Sequence, residues 1–322
     1  MLKPLLLALC CATPVWADFP ETVTGYILPG YAKFAQATQE LSDMAATTCD
    51  QSALRAPFNA AYDAWVAVQP LHFGPAEQNG LGLAIDYWPD PKGAGAKAQR
   101  GLLLGDAAAL TAENFADQSV AARGLSGLER LLYPSDPLPA DPCALIRATA
   151  NDLARVAMLI NDAWRSGYGN TMLTAGQAGN TTYLTRPEVR QALFTQIIAA
   201  LEFTEDQRLG RPLGNFDKPH PERAEAVASG RSLINVTLSL RSLKAMVETL
   251  TPDVPLTLAS LDRAIELAGK LDDPVFAGVA TPQGRLKVEI LQQAVTAVRE
   301  NALGELGPEL DVGIGFNAAD GD

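Results

Sequence analysis

A chain of 322 residues, 48% hydrophobic and 19% charged, can bury one large core or two medium ones, which excludes intrinsic disorder and small disulfide-stapled scaffolds. Its 25 Lys and Arg stand against 37 Asp and Glu, a formal charge of −12 that argues against nucleic acid or an anionic lipid surface as partner. Only two histidines occur, His72 and His220, so a metal site needing several imidazoles cannot be built from one copy.

Residues 1–17 have the three-part form of a secretory signal: Lys3, an apolar run from Leu5 to Ala12, and a small-residue end at Val15-Trp16-Ala17. The run is too short to span a bilayer as a helix, and no later stretch reads as a membrane span. Cleavage after Ala17 predicts an exported, periplasmic chain of formal charge −13, since Lys3 leaves and no acid does. Lipoprotein anchoring through Cys10 or Cys11 is the weaker reading, because Leu9 or Cys10 stands where a small residue is wanted. Export leaves Cys49 and Cys143, and an even pair in an oxidising compartment predicts a structural disulfide over two free thiols. In the chain-entropy picture such a bridge contributes about 4–5 kcal/mol before native strain is subtracted.

Beyond the leader, apolar residues recur at helical spacing. Tyr31, Phe34, Thr38, Leu41 and Ala45 form one stripe, and Leu54, Phe58, Ala61, Trp65 and Val68 a second. The rhythm returns at Leu153, Val156, Ile160 and Trp164, then at Leu233, Val236, Leu240, Leu243 and Val247. Period-two alternation is nearly absent, so the fold class is all-α, built of helical bundles. Breakers crowd residues 70–95, 167–180 and 209–221, and the chain turns glycine-rich from Gly304. The middle stretch is the best linker, which predicts two bundles, 18–180 and 181–322. Leu128-Glu129-Arg130 and Leu201-Glu202-Phe203 each put a glutamate late in an apolar helix, a faint echo compatible with duplication.

No Cys-x-x-Cys, His-Glu-x-x-His or Gly-x-Ser-x-Gly is present, so zinc ribbons, zincins and nucleophile-elbow hydrolases lack their signatures. The segment Gly124 to Tyr133 (GLSGLERLLY) turns Leu125, Leu128 and Leu132 to a core, while Ser126, Glu129 and Tyr133 share a neighbouring face. A carboxylate edging a buried stripe invites a cation or an arginine. Ser126 and Glu129 also have capping-box spacing.

That segment resembles the Gly-x-His-x-x-Glu motif of the imelysin-like proteins, also classed as M75 peptidases, and maps it onto Gly124, Ser126 and Glu129. Residues 65–90, with Phe73-Gly74-Pro75-Ala76-Glu77, resemble the family's first long loop, 202–214 its second-half helix and loop, and 315–322 (GFNAADGD) its usual ending. The resemblance implies two bundles arranged as a divergent internal duplication with a groove between them, in a monomeric cell-envelope protein linked to iron supply. It implies a non-catalytic binding protein, an accessory in acquiring iron or another divalent cation, whose partner is the metal ion or a periplasmic protein. A metallopeptidase, or a docking scaffold for a periplasmic haem or redox protein, is the alternative. Ser126 stands where the family has histidine, and a hydroxyl cannot replace imidazole as a nitrogen ligand. Candidate metal ligands are then Glu129 and Glu77, with Asp86, Asp90, Glu202, Asp320 and Asp322 as further oxygens. Trp88 is expected to line the groove, and Arg208 and Arg211 to pair with Glu129 or Glu202 across it.

Overall fold

A computed structural model describes residues 18–313; the leader 1–17, the terminal block 314–322 and its acids Asp320 and Asp322 lie outside the described residues. Asp18 opens the first helix by accepting from the Phe19 amide at 2.7 Å, and the same carboxylate holds Arg186 and Arg190 from the second half of the chain. The helix runs Phe19–Glu21, passes through a π-helical stretch at Thr22–Ile27, and continues as α1, Leu28–Thr47. Asp50 then caps α2, Gln51–Val68, by accepting from Ser52 N at 2.8 Å. Every residue of the two predicted stripes on these helices is buried, which closes them face to face.

The irregular stretch from Pro70 onward is pinned rather than loose, because Leu71, Phe73, Ala76, Ala84 and Ile85 are all buried. It leads into α3, Ala94–Leu104, and later α4, Gly124–Leu132. The helix α5, Cys143–Ala163, lies against α1 and carries the second cysteine, so Cys49–Cys143 ties the α1–α2 turn to the start of α5 with the two Cα atoms 5.2 Å apart. The second half contains α6 (Arg186–Glu202), α7 (Ser232–Leu250), α8 (Pro255–Lys270) and α9 (Pro282–Asn301), with α8 between α7 and α9.

Residue 180 falls in a compact turn: Asn180 donates to Thr171 O at 2.6 Å and accepts from Tyr183 N at 2.9 Å. The apolar core does not stop there. One buried cluster extends from Phe19 to Leu310, and α7 packs directly on α2, with the Tyr26 hydroxyl donating to Ala67 O at 2.7 Å and Ser242 of α7 reaching the same carbonyl at 2.6 Å. Among the described residues all regular elements are helical apart from an isolated bridge between Asn215 and Lys218. No described helix is long and apolar enough to cross a membrane.

Three further helices carry a π-helical turn near their C-terminal ends, at Trp164–Tyr168, Phe203–Leu209 and Ala302–Leu306. Each turn inserts a residue and rotates the helix downstream of it, so the side chains beyond leave the 3.6-residue rhythm. The turn at Phe203–Leu209 matters most, since it carries Arg208.

The disulfide closes a loop with a sequence separation of 94. Its reduction, or the double substitution Cys49→Ser/Cys143→Ser, is expected to lower the unfolding free energy by about 2–5 kcal/mol. Urea unfolding with and without reductant measures this, and an unchanged midpoint would contradict it.

Candidate functional site

The motif helix α4 begins under tight constraint. Arg123, just before it, is buried against Asp152 of α5 at 2.8 Å and also donates to Ala116 O at 2.6 Å. Gly124 comes next with φ +66, and a Cβ there would collide with the carbonyl oxygens of Ile85 and Ala84. Glycine is therefore needed twice, for the left-handed backbone and for the close approach of two chain segments. That approach delivers the Ser126 hydroxyl to Asp86 Oδ1, to which it donates, while the Tyr62 hydroxyl donates to Oδ2 at 3.2 Å.

Asp86 is 8% exposed. Burial pushes its carboxyl up to about 7, the charges of Glu225 and Glu129 push the same way, and the Ser126 and Tyr62 hydrogen bonds oppose them. One turn along α4, Glu129 Oε1 accepts from Ser229 N at 2.9 Å and Ser229 Oγ at 2.7 Å, linking the motif to the irregular stretch before α7. Burial raises the Glu129 carboxyl as well, against the pull of the Ser229 bonds.

Opposite lies a second buried charge pair. Arg208 and Glu225, 2% and 1% exposed, meet at 2.8 Å through Nε and at 3.3 Å through Nη2. Arg208 also donates to Gln69 Oε1 just past α2, and Asn235 of α7 donates to Glu225 Oε2 at 2.9 Å. Ser232 Oγ donates to the Glu225 carbonyl. Nearby, Arg231 bonds Asp63 and Asn59 and lies over the Tyr62 ring at 4.8 Å. Residues of both halves thus meet in one polar seam.

The predicted site residues divide. Ser126, Glu129 and Arg208 belong to this seam. Trp88 packs edge-on against Phe203 at 5.9 Å, with Arg211 over its ring at 5.8 Å, so Trp88 and Arg211 form an adjoining aromatic–cation contact. Glu77 is exposed on a 3-10 turn, and Asp90 caps α3 by accepting from Ala94 N at 2.9 Å and Gly95 N at 2.7 Å. The expected arginine pairings are corrected: Arg208 engages Glu225, and Glu202 faces Arg299 at 3.8 Å. Arg208 continues the buried stripe of Ile197, Leu201 and Thr204 inward, where Glu225 meets it. His72 is exposed, and His220 contacts Glu222 at 2.8 Å.

A resident cation fits this donor set poorly. Both oxygens of Asp86 and of Glu225 already accept from protein donors, as does Oε1 of Glu129. Among the described residues no three of His, Cys, Asp and Glu cluster as a metal site requires. Tyr62, Glu225, Ser229 and Gln69 are absent from the sequence-derived set. They lie between 57 positions (Gln69) and 103 positions (Ser229) from Ser126 and share no local motif with it; the one available signal was Glu225 itself, an acid at the edge of the breaker-rich stretch preceding α7.

The family model for imelysin, Peptidase_M75, matches residues 27–302. Iron-regulated protein A of Synechococcus elongatus is 24% identical over 315 residues, covering 87% of this chain and 83% of that protein. The crystal structure of an imelysin-like protein from Psychrobacter arcticum superposes with a TM-score of 0.77 at 22% identity, over 94% of this chain and 100% of that one. A protein described as an iron-regulated protein A precursor from Parabacteroides distasonis gives 0.63 at 13% identity, over 91% and 97%.

Two outcomes are expected of the seam. A carboxyl whose folded pKa is raised keeps its proton longer in the folded state, so its stabilising contribution is full below about pH 4 and is lost as pH rises toward 7. Asp86→Asn removes that loss, so its stability relative to the parent should grow by about 2–4 kcal/mol between pH 4 and pH 8. Chemical denaturation across that range measures it, and a pH-independent difference would contradict it. Arg208→Met should cost about 3–5 kcal/mol by stranding Glu225, and adding Glu225→Gln should recover part of the loss. Additive losses in that double-mutant cycle would show that the two side chains do not act as a pair.

Proposed function

The chain belongs to the imelysin family, and on that premise we propose that it is an exported accessory of iron acquisition that acts by binding rather than catalysis, with the polar seam between its halves as the interaction site. The observation that carries the non-catalytic reading is the engagement of the motif. Ser126 donates to Asp86, and Glu129 is held by Ser229, so the residues at the family's motif positions are tied into the protein's own scaffold.

Metal-assisted peptide hydrolysis needs an ion with an open coordination position and a free general base. Serine in place of the motif histidine removes the nitrogen ligand, and the neighbouring carboxylates are occupied by hydrogen-bond donors. The leader form of residues 1–17 supports export, and the net charge of −12 is compatible with cationic or neutral partners. Two relatives carry iron-regulated names, which supports placing this chain in iron supply. A carrier role would be filled at the exposed rim of the seam, where Asp63 reaches solvent, with a partner protein or a complexed ion docking there.

A strain lacking the gene is expected to grow more slowly than its parent under iron limitation and equally well in iron-replete medium, with growth restored by the intact gene. The purified protein is expected to leave denatured casein uncut with ferrous or zinc ions. Chelator-sensitive cleavage abolished by Glu129→Ala would overturn the non-catalytic reading, and unchanged growth of the deletion strain would overturn the role in iron supply.

A further inference from the structure

Between α3 and the end of α4 lies a cleft of about 550 Å³, within the size range of small-molecule sites. One wall is the segment after α4, where Pro134, Pro137 and Pro139 limit backbone freedom and Leu138 and Tyr133 supply apolar surface. Tyr133 is itself fixed, since the Arg55 guanidinium lies 4.4 Å from its ring centre and Asn59 donates to its hydroxyl at 3.3 Å. Leu103 of α3 and Leu131 of α4 complete the apolar surface.

The charge on the remaining rim runs against the chain as a whole. In a protein with 37 acids and 25 bases, this cleft is lined by Lys97, Arg100 and Arg130 and by one acid, Asp136. Lys97 and Arg100 are three apart on α3, a helix without a single carboxylate, so both fall on the face turned to the cleft. Among the described residues neither of them, nor Arg130, has a carboxylate within ion-pair distance.

Arg130 is a placed group rather than a loose surface one. Its Nε donates to the buried Gln99 at 2.9 Å and its Nη2 to Ala121 O at 2.6 Å, which leaves Nη1 for the cleft. Gln99 is held in turn by donating to Ala122 O at 3.0 Å and Gly127 O at 2.8 Å. Gly95 makes room for the guanidinium, because a Cβ there would run into it. A half-buried, oriented guanidinium beside an apolar floor is a recognition element for an anionic head on an apolar body.

We propose that this cleft is a binding site for a small amphipathic organic anion, with the apolar body against Leu103, Leu131 and Leu138 and the anionic head, a carboxylate or a phosphate, toward Arg130, Lys97 and Arg100. The site stands whether or not the role in iron supply holds. Ala228 reaches the cleft from the second half and adjoins Ser229, the partner of Glu129, so an occupant touches the joint between halves.

The test is titration of the purified full-length mature protein with dodecanoate, dodecyl phosphate and dodecanol by calorimetry. Either anion should bind saturably with a dissociation constant of about 1–100 µM, and dodecanol about tenfold more weakly; the tighter anion identifies the head group. Lys97→Glu/Arg100→Glu, at exposed positions, should weaken the anions about tenfold and leave dodecanol unchanged. Ala96→Trp, on the exposed face of α3 lining the cleft, should block all three while the thermal midpoint stays that of the parent. Any of three results would overturn the proposal: no saturable binding of either anion below about 1 mM, equal affinity for dodecanol, or binding that survives Ala96→Trp.

Discussion

The arrangement of the seam depends on one desolvated ion pair, Arg208 with Glu225. Two charges taken almost wholly out of water are tolerated only with close geometry and further hydrogen bonds, and here Gln69, Asn235 and the paired nitrogens of the guanidinium supply them. The requirement fixes three chain segments at once: the end of α2, the π-helical turn after α6, and the stretch that enters α7. With Glu225 anchored, the next residues return to the motif helix, and Ser229 arrives where Glu129 can accept from both its amide and its hydroxyl. The raised pKa of Asp86 is a further consequence, since Glu225 and Glu129 add their charge to the effect of burial.

Much of the scaffold is legible in the sequence because its causes are local. The stripes on α1 and α2 are buried as their periodicity requires. The disulfide was accessible from a different source, the even cysteine count that export leaves behind. The features that escaped are non-local. Arg208 lies on the buried face in register with Leu201 and Thr204, and the acid it meets there, Glu225, is 17 positions away across a loop, so the expectation of a pairing with Glu129 or Glu202 fails. Asp86 and Ser126 are 40 positions apart, and only the glycine-dependent approach of α4 to Ala84 and Ile85 brings them into contact. Near residue 180 the breaker residues mark a turn, and the apolar surfaces on either side continue into one another through α2 and α7.

Ser126 acquires a physical meaning in this setting. A short hydroxyl fits between the motif helix and Asp86 and donates to a carboxyl that has no water to turn to. The local chemistry is that of a closed hydrogen-bonded joint. One turn along the same helix the chemistry is open, with the oriented Arg130 guanidinium and an apolar floor reachable from solvent. One helix therefore carries a closed polar joint at Ser126 and, one turn further on, the edge of a charged, apolar cleft at Arg130.

Whether the motif of this chain is a joint between halves rather than an ion site is measured most directly by anomalous diffraction from crystals grown separately with ferrous and zinc ions. A joint gives no anomalous peak within coordination distance of Glu129 or Ser126, with Ser126 still on Asp86 and Glu129 still on Ser229. An ion seated on Glu129, with Ser229 displaced from its carboxylate, would contradict it.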